Sequence, residues 1–218
     1  MAAARSGARI GILGGSFNPA HEGHLHISRL ALKRLALDQL WWMVSPQNPL
    51  KPAAGMAPFA ERLASARSLA RHPRILVTDI EARLNTRYTA DTLGTLRATF
   101  PRARFVWIMG ADNLRQIPKW ERWTDIFRAV PVAVFDRATY SFGALAGKAA
   151  HRFRRFRVRP GAAAGLADRR APAWVYLHTP LHPASATEIR KAATRRSAGP
   201  TRRKRSRPAK AGGRRARR

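Results

Sequence analysis

Short runs of apolar residues alternate with amphipathic segments along most of the chain. The apolar runs predict buried strands at 10–13, 39–45, 74–80, 105–109, 132–135 and 174–178. Apolar residues at helical spacing predict helices at 25–35, 58–71, 89–100, 120–129, 142–156 and 185–193. Loops are predicted at 46–51 and at 157–172, a segment rich in Gly, Ala and Pro.

This alternation predicts an α/β fold. A helix between two strands carries the chain across the sheet, so that successive strands run parallel to one another. We therefore expect a Rossmann-like, doubly wound, mostly parallel sheet with helices on both faces. Ligands bind such sheets beyond the carboxyl ends of the strands, where the connections diverge.

Composition and charge set the expected domain organisation. The chain has 218 residues, of which 45% are hydrophobic, and this is enough for one domain with a substantial core. Its formal charge is +30, and residues 195–218 hold twelve of the 42 Lys and Arg residues but no Asp or Glu. We expect a disordered extension at 1–8, one domain at 9–194 and a disordered basic tail at 195–218. The tail is either a solvated extension or a weak contact for nucleic acid or an acidic surface.

Three absences from the sequence narrow the class of protein. The chain has no cysteine, which excludes disulfides and thiolate metal sites. It has no run of about twenty apolar residues, and the first residues, MAAARSGAR, lack the apolar core of a signal peptide. We therefore expect a cytoplasmic protein without a membrane span.

The segment 10–26, IGILGGSFNPAHEGHLH, carries the clearest chemical signal. A buried strand is followed by Gly14 and Gly15, which permit a tight turn and the close approach of a ligand. Ser16 offers a hydroxyl, and the start of the next helix offers backbone N–H groups. His21 and His24 are three residues apart, so that both imidazoles can point to one anion. This pattern predicts a site for nucleotide phosphates.

Other interpretations of this segment are weaker. It lacks the Lys-Ser/Thr ending of a P-loop and the spaced glycines of a dinucleotide-binding turn. His21, His24 and His26 form an HxxHxH pattern that is compatible with a metal site, but no nearby carboxylate or cysteine has matching ligand spacing. We therefore predict no protein metal site and treat His26 as an ordinary helix residue.

The same residues resemble a known family. GGSFNPAHEGHLH is similar to the GGSFDPxHxGH signature of nucleotidyltransferases of the HxGH class, and most similar to bacterial nicotinate-nucleotide adenylyltransferases. RYTADTL, GADNLRQIPKWERW and the SSTxIR-like SATEIR follow in the expected order, so that the resemblance covers most of residues 9–193. Asn18 replaces the usual aspartate, while Ala184 and Ala186 replace an apolar residue and a serine of the last motif.

The resemblance implies an ATP site at the first and last motifs. His21, His24 and Arg190 are then the catalytic residues, which stabilise charge on the phosphates in the transition state. The implied ATP-binding residues are Gly14, Gly15, Ser16, Phe17, His21, His24, Ser185, Thr187 and Arg190. Mg²⁺ is expected to arrive with ATP, held largely by phosphate oxygens and water.

A second substrate, nicotinate mononucleotide, is implied between these motifs. Its implied contacts are Ser16, Lys51, Thr89, Asp112 and Trp120. Trp120 stacks on the pyridine ring, backbone amides near Thr89 and Trp120 bind the carboxylate, and Asp112 lies by the sugars. From the residues alone, Trp120 and Trp123 are equally explained by core packing, and Lys51 by a solvated loop position.

The resemblance thus implies adenylyl transfer from ATP to nicotinate mononucleotide, within a nucleotidyltransferase fold. Two alternatives stay open. One is another HxGH-class enzyme, which acts on nicotinamide mononucleotide or phosphopantetheine, or uses CTP. The other is a nucleic-acid-binding protein that acts through its basic tail.

Overall fold

The computed structural model describes residues 6–47, 55–136 and 141–180. Lys51, Ser185, Thr187 and Arg190 lie outside this range, as do Ala184 and Ala186, so their assigned roles stay predictions. The described strands are β1 (Arg9–Gly15), β2 (Gln39–Val44), β3 (Ile75–Thr78), β4 (Arg104–Gly110), β5 (Val132–Phe135), β6 (Arg157–Val158) and β7 (Trp174–Leu177).

Eight α-helices occur in the described part of the chain. They are α1 (Glu22–Arg34), α2 (Phe59–Leu69), α3 (Ile80–Arg83), α4 (Thr89–Thr99), α5 (Ala111–Gln116), α6 (Trp123–Ala129), α7 (Ser141–Leu145) and α8 (Lys148–Arg152). Three short 3₁₀ helices span Ile117–Lys119, Arg154–Phe156 and Pro160–Asp168. None of the described helices has the length and apolar character needed to cross a membrane.

All seven described strands form one sheet in the order β3-β2-β1-β4-β5-β7-β6, and every described pairing is parallel. The predicted Rossmann-like, doubly wound sheet is therefore confirmed. After β1 the chain moves outward through β2 and β3, and it then returns to the other side of β1 with β4. The connections diverge between β1 and β4, which is where such folds bind ligands.

Alternate residues of each strand feed two separate hydrophobic cores. On one face, side chains such as Ile12, Trp41 and Trp107 pack against α4, α5, α6 and α8. On the other face, side chains such as Leu13, Trp42 and Ile108 pack against α1, α2 and the 3₁₀ helix Pro160–Asp168. The sheet is thus covered on both faces, which explains the continuous apolar runs in the sequence.

Two predicted elements near the end of the domain were wrong. The basic helix expected over 142–156 is divided into α7, α8 and a 3₁₀ turn, with Gly147 in an extended conformation between the helices. The loop expected over 157–172 contains β6 and a 3₁₀ helix instead. Its Ala163, Leu166 and Ala167 are buried against the sheet, where small side chains allow close packing.

The structure also shifts boundaries near the predicted site. β1 continues through Gly14 and Gly15, so that the turn falls later, at Phe17, whose φ is 45°. α5 follows β4 directly and had not been predicted. Trp120 lies after a 3₁₀ helix and before α6, not within the predicted helix 120–129.

Candidate active site

The two histidines of the HxGH motif lie at the amino end of α1. His21 is the N-cap residue, and its Nδ1 accepts a hydrogen bond from the backbone N–H of Gly23 at 3.2 Å. The Nδ1 of His24 accepts in turn from the backbone N–H of His21, also at 3.2 Å. The ring centroids are 3.9 Å apart, so the two imidazoles form one compact pair.

These hydrogen bonds assign the tautomer of both rings. A ring nitrogen that accepts a hydrogen bond carries no proton, so each neutral imidazole carries its proton on Nε2. In each neutral ring the donor is therefore Nε2–H, and both rings lie at the amino end of α1, where the helix dipole is positive. This pair suits an anion, and neither Nδ1 is available to act as a base.

Contacts with buried residues hold His24 in place on the core side. The Phe17 ring, whose residue is 2% exposed, lies with its centroid 4.7 Å from that of His24 and 5.1 Å from that of Trp42. Ser28 is fully buried, accepts from Trp42 Nε1 at 2.7 Å and donates to the carbonyl of His24 at 2.7 Å. The side chain of Phe17 thus supports the imidazole pair from the core side.

Gly14 is required by packing rather than by the turn. A Cβ on Gly14 would clash with the indole Cη2 of Trp107 on the neighbouring strand. The next glycine, Gly15, has room for a Cβ, since its nearest neighbour is a Phe17 ring atom at 3.5 Å. Ser16 is half-buried, and its carbonyl accepts from Arg62 at 2.6 Å.

Arg62 on α2 was missed by the sequence analysis. It is 2% exposed and donates to the carbonyls of Ser16, Ser45, Pro46 and Ala57 at 2.6–2.9 Å. These carbonyls come from the loop after β1, the end of β2 and the segment before α2. Arg62 therefore joins the motif loop to the loop that leads toward Lys51, and burial lowers the pKa of its guanidinium. A charged residue at an apolar helix position was the available signal.

Asn18 reinforces the same junction. Its Nδ2 donates to the carbonyl of Gly55 at 3.1 Å, and its Oδ1 accepts from the N–H of Ala57 at 3.3 Å. The amide uses both a donor and an acceptor here. An aspartate, when ionised, supplies acceptors only.

Two of the residues predicted to bind the second substrate, Thr89 and Asp112, lie at the carboxyl edge of the same sheet. Thr89 is the first residue of α4, and the N-cap residue Tyr88 makes no capping hydrogen bond with its side chain. Asp112 lies in the first turn of α5, directly after β4, and is half-buried. Trp120 and Trp123 both pack, partly buried, against the core on that face.

Comparisons with known proteins identify the family of the chain. The model of the family described as "Cytidylyltransferase-like" matches residues 12–192. The chain belongs to the cytidylyltransferase-like family. A protein from Parvibaculum lavamentivorans named a probable nicotinate-nucleotide adenylyltransferase is 55% identical over 184 residues, which are 84% of this chain and 92% of that protein. A protein of the same name from Gluconacetobacter diazotrophicus is 53% identical over 194 residues, covering 88% and 90%.

Solved structures agree on the fold of this cytidylyltransferase-like protein. The nicotinic acid mononucleotide adenylyltransferase of Plasmodium falciparum, complexed with NaAD, superposes with a TM-score of 0.63 at 17% identity. The match covers 84% of this chain and 83% of that one. A putative nicotinate-nucleotide adenylyltransferase from Vibrio parahaemolyticus has a TM-score of 0.52 at 16% identity, covering 86% and 88%. The family resemblance and the Rossmann-like fold are thus both confirmed.

A buried carboxyl group beside α4 in this cytidylyltransferase-like protein was also missed by the sequence analysis. Glu81 on α3 is 4% exposed and accepts from Thr92 Oγ1 at 3.3 Å, while its Oε2 is buried without a described hydrogen-bond partner. Burial raises the pKa of Glu81, an effect that Ser45 and Thr92 partly oppose. Glu81 thereby connects α3 with α4, the helix that begins at Thr89.

Contacts at the end of β7 bring the last described residues of this family member toward α1. His26 Nε2 lies 2.8 Å from the carbonyl oxygen of Pro180, so His26 is more than the ordinary helix residue that we had expected. His178 Nδ1 lies 2.9 Å from Asp136 Oδ2, and Tyr176 donates to Asp136 Oδ1 at 2.9 Å. The chain that leads into SATEIR therefore leaves the sheet beside the helix that carries His21 and His24.

Proposed function

We propose that the chain transfers an adenylyl group from ATP to nicotinate mononucleotide, which yields nicotinate adenine dinucleotide and pyrophosphate in NAD biosynthesis. The names of relatives above 50% identity and the NaAD complex of a structural neighbour support this activity. The structural observation that carries it is the pair of imidazoles at the amino end of α1, whose Nδ1 atoms accept backbone hydrogen bonds, so that the ring N–H of each neutral imidazole is on Nε2.

Adenylyl transfer requires stabilisation of negative charge on the phosphates rather than a general base. A phosphate oxygen of nicotinate mononucleotide forms a bond to the α-phosphorus of ATP, and the bond from that phosphorus to the pyrophosphate oxygen breaks. The attacking phosphate is already ionised near neutral pH, so no proton has to be removed from it. Donors placed where negative charge accumulates lower the barrier. His21 and His24 fill this role through Nε2–H.

The rest of the ATP site is proposed from the last motif. Arg190 is positively charged at all relevant pH values and would bind the outer phosphates. Ser185 and Thr187 would contribute hydroxyl contacts at the start of the same segment. The contact between His26 and Pro180 favours this arrangement, because it brings the chain that leads to these residues toward α1.

For the second substrate, we propose that the amino end of α4 binds the carboxylate of the nicotinate ring. Backbone N–H groups at Thr89 donate to a carboxylate, whereas a carboxamide turns a donor of its own toward them. Trp120 would stack on the ring, and Asp112 would contact the sugars. Ser16 and Lys51 would contact the nucleotide phosphate.

Mg²⁺ is proposed to accompany ATP. No cluster of three or more His, Asp or Glu side chains that could hold a metal occurs in the described residues, which fits an ion carried largely by phosphate oxygens and water. When bound, the ion would neutralise phosphate charge and leave the orientation of the substrates to the protein.

The donor role of His24 can be separated from a base role by substitution. His24→Ala removes the donor, and we expect kcat to fall by about 10²–10³. His24→Gln keeps an N–H at similar reach and cannot titrate, so it should retain more activity than the alanine variant. His151→Ala, at an exposed position on α8, is the matched control and should leave kcat unchanged.

The substrate is tested in the same assay with nicotinate and nicotinamide mononucleotides side by side. We expect a higher kcat/KM for the nicotinate form. A preference for the amide would contradict the substrate assignment.

For the histidine variants, equal loss of activity in His24→Ala and His24→Gln would contradict the donor role of His24.

A further inference from the structure

A strongly basic concavity lies at the amino end of β7 and beside the two-residue edge strand β6, away from the carboxyl edge that carries the histidine pair. Its volume is about 500 Å³, and its lining includes Arg155, Phe156, Arg157, Arg159, Arg169 and Arg170. Pro172 and Ala173, the two residues before β7, also line it. The lining contains five arginines and no acidic residue.

A second concavity adjoins the first and extends the positive charge along the same edge. Its volume is about 370 Å³, and Arg169 and Arg170 line both. Arg97, Arg104 and Arg128 line it further along, at the amino ends of β4 and β5. We call the two concavities together the basic groove.

Most of the charge in the basic groove is not neutralised within the described part of the protein. Asp168 pairs with Arg104 at 2.5 Å and with Arg9 at 2.8 Å, and Asp125 pairs with Arg128 at 3.3 Å. No described ion pair involves the five arginines of the first concavity. Neighbouring guanidinium groups without an acidic partner repel one another, and a bound polyanion removes that repulsion.

One exposed aromatic ring lies among these arginines. Phe156 is 44% exposed, and among the described residues it is the one large hydrophobic side chain that is exposed. Its ring centroid lies 6.4 Å from that of the buried Phe153, which anchors it to the core. Arg157 beside it is packed over the Trp174 ring at 5.4 Å. An anchored ring with guanidinium groups around it forms a platform for a flat, anionic ligand.

We propose that the basic groove binds single-stranded nucleic acid, with phosphates on the arginines and one unpaired base stacked on Phe156. Grooves that combine cationic side chains with exposed aromatic rings bind single strands, because only an unpaired base can stack on a protein ring. A duplex keeps its bases paired and offers phosphates alone. The site lies at the opposite ends of the strands from His21 and His24, so binding there is separate from adenylyl transfer.

The first test measures binding of the full chain to fluorescein-labelled twelve-residue oligonucleotides, oligouridylate and oligothymidylate, by fluorescence anisotropy. Phe156→Ala should weaken binding by about 5- to 150-fold, the usual effect of removing one stacking ring. Phe156→Trp keeps an aromatic ring at this position and should bind the oligonucleotides about as tightly as the wild type. Equal affinity of wild type and Phe156→Ala for both strands would overturn the stacking contact.

The second test uses charge and salt. Arg159→Gln with Arg170→Gln should reduce the slope of log Kd against log salt by about 0.7 for each phosphate that the variant no longer binds. The matched control is Arg67→Gln with Arg71→Gln, which removes the same charge from exposed positions on α2 and just after it. These positions lie beside β3, at the far end of the sheet, so the slope should stay unchanged. Equal slopes for both double variants would overturn the proposal.

A crosslinking map distinguishes the basic groove from the basic tail. Oligonucleotides that contain 4-thiouridine should crosslink at or beside Phe156 in the full chain. Crosslinks confined to residues 195–218 would assign all binding to the tail and overturn the proposal. Adenylyl transfer should proceed at the wild-type rate in every groove variant.

Discussion

At the residue scale, backbone N–H groups in the candidate site fix the tautomer of the two histidine side chains. The backbone N–H of His21 and the backbone N–H of Gly23 each bind an imidazole Nδ1, so each neutral ring of the HxGH motif carries its N–H on Nε2. The spacing of the histidines predicted their convergence. It did not predict the tautomer, which depends on the conformation of the helix cap.

Arg62 is expected to be the most sensitive position outside the motifs. In Arg62→Met the carbonyls of Ser16, Ser45, Pro46 and Ala57 lose a shared donor in a buried site. An unsatisfied buried carbonyl costs about 1–3 kcal/mol, so the free energy of unfolding should fall by about 3 kcal/mol or more. Urea denaturation followed by tryptophan fluorescence measures this fall.

Arg67→Met is the control for this prediction. Arg67 lies on the same helix, α2, but is exposed, so its replacement should change stability by less than about 0.5 kcal/mol. If Arg62→Met were no less stable than Arg67→Met, the hydrogen bonds of Arg62 would contribute nothing to the junction of the loops.

Asn18 offers a second test at this scale. Restoring the aspartate that is usual in the motif removes the donor to the carbonyl of Gly55 and places a negative charge against it. We expect Asn18→Asp to lower the stability of this protein by about 1 kcal/mol. Thermal unfolding compares it with Asn18→Ala, which removes both hydrogen bonds without adding charge. An aspartate variant as stable as the wild type would contradict the donor role of Nδ2.

At the scale of elements, α3 and α4 depend on the protonation of Glu81. Because burial raises the pKa of Glu81 above its usual 4.5, folding favours the protonated carboxyl. The stability that Glu81 contributes is therefore fully present below pH 4.5 and is lost as the pH rises through the raised pKa. Glu81→Gln stays neutral, so its stability relative to wild type should increase over that pH range.

Urea unfolding at a series of pH values measures this effect. Glu61→Gln, at an exposed position on α2, is the matched control and should keep the pH dependence of the wild type. Parallel curves for wild type and Glu81→Gln would mean that Glu81 does not change protonation on folding.

The sequence predicted the strands better than the helices, for a physical reason. Strands buried on both faces appear as continuous apolar runs, and all but β6 were found from such runs. β6 has two residues, Arg157 and Val158, which is too short for a pattern. α5 is short, and the Ala-rich 3₁₀ helix Pro160–Asp168 has composition typical of a loop, so neither shows helical spacing.

The sequence predicted the site residues that belong to motifs. It did not predict the residues whose role depends on tertiary contacts. The histidines and Asp112 follow strands directly, so strand order alone brings them to one edge of the sheet. Arg62 and Glu81 lie on helices far along the chain from most of their partners. Their importance depends on burial. The position of Arg62 among apolar helix residues was a weak signal of it, whereas no sequence pattern marks Glu81.

At the scale of the whole molecule, the sheet separates two chemical edges. The carboxyl edge carries the histidine pair and the starts of α4 and α5, while the amino edge carries the basic groove. A strand rises about 3.3 Å per residue, so the seven residues of β1 alone separate the edges by about 20 Å. Substitutions at one edge should therefore leave the chemistry of the other unchanged, because sites so far apart contribute independently.

The basic tail provides the test of this separation. Residues 195–218 follow the segment matched by the family description, so a chain that ends at residue 194 should retain kcat and KM within about twofold of the full chain. The same assay with His24→Ala in the full chain should lose most of the activity, which shows that the assay detects damage to the site. Loss of adenylyl transfer in the shortened chain, at unchanged thermal unfolding temperature, would instead make the tail part of the substrate site. In that case some of its basic residues would contact the substrate phosphates.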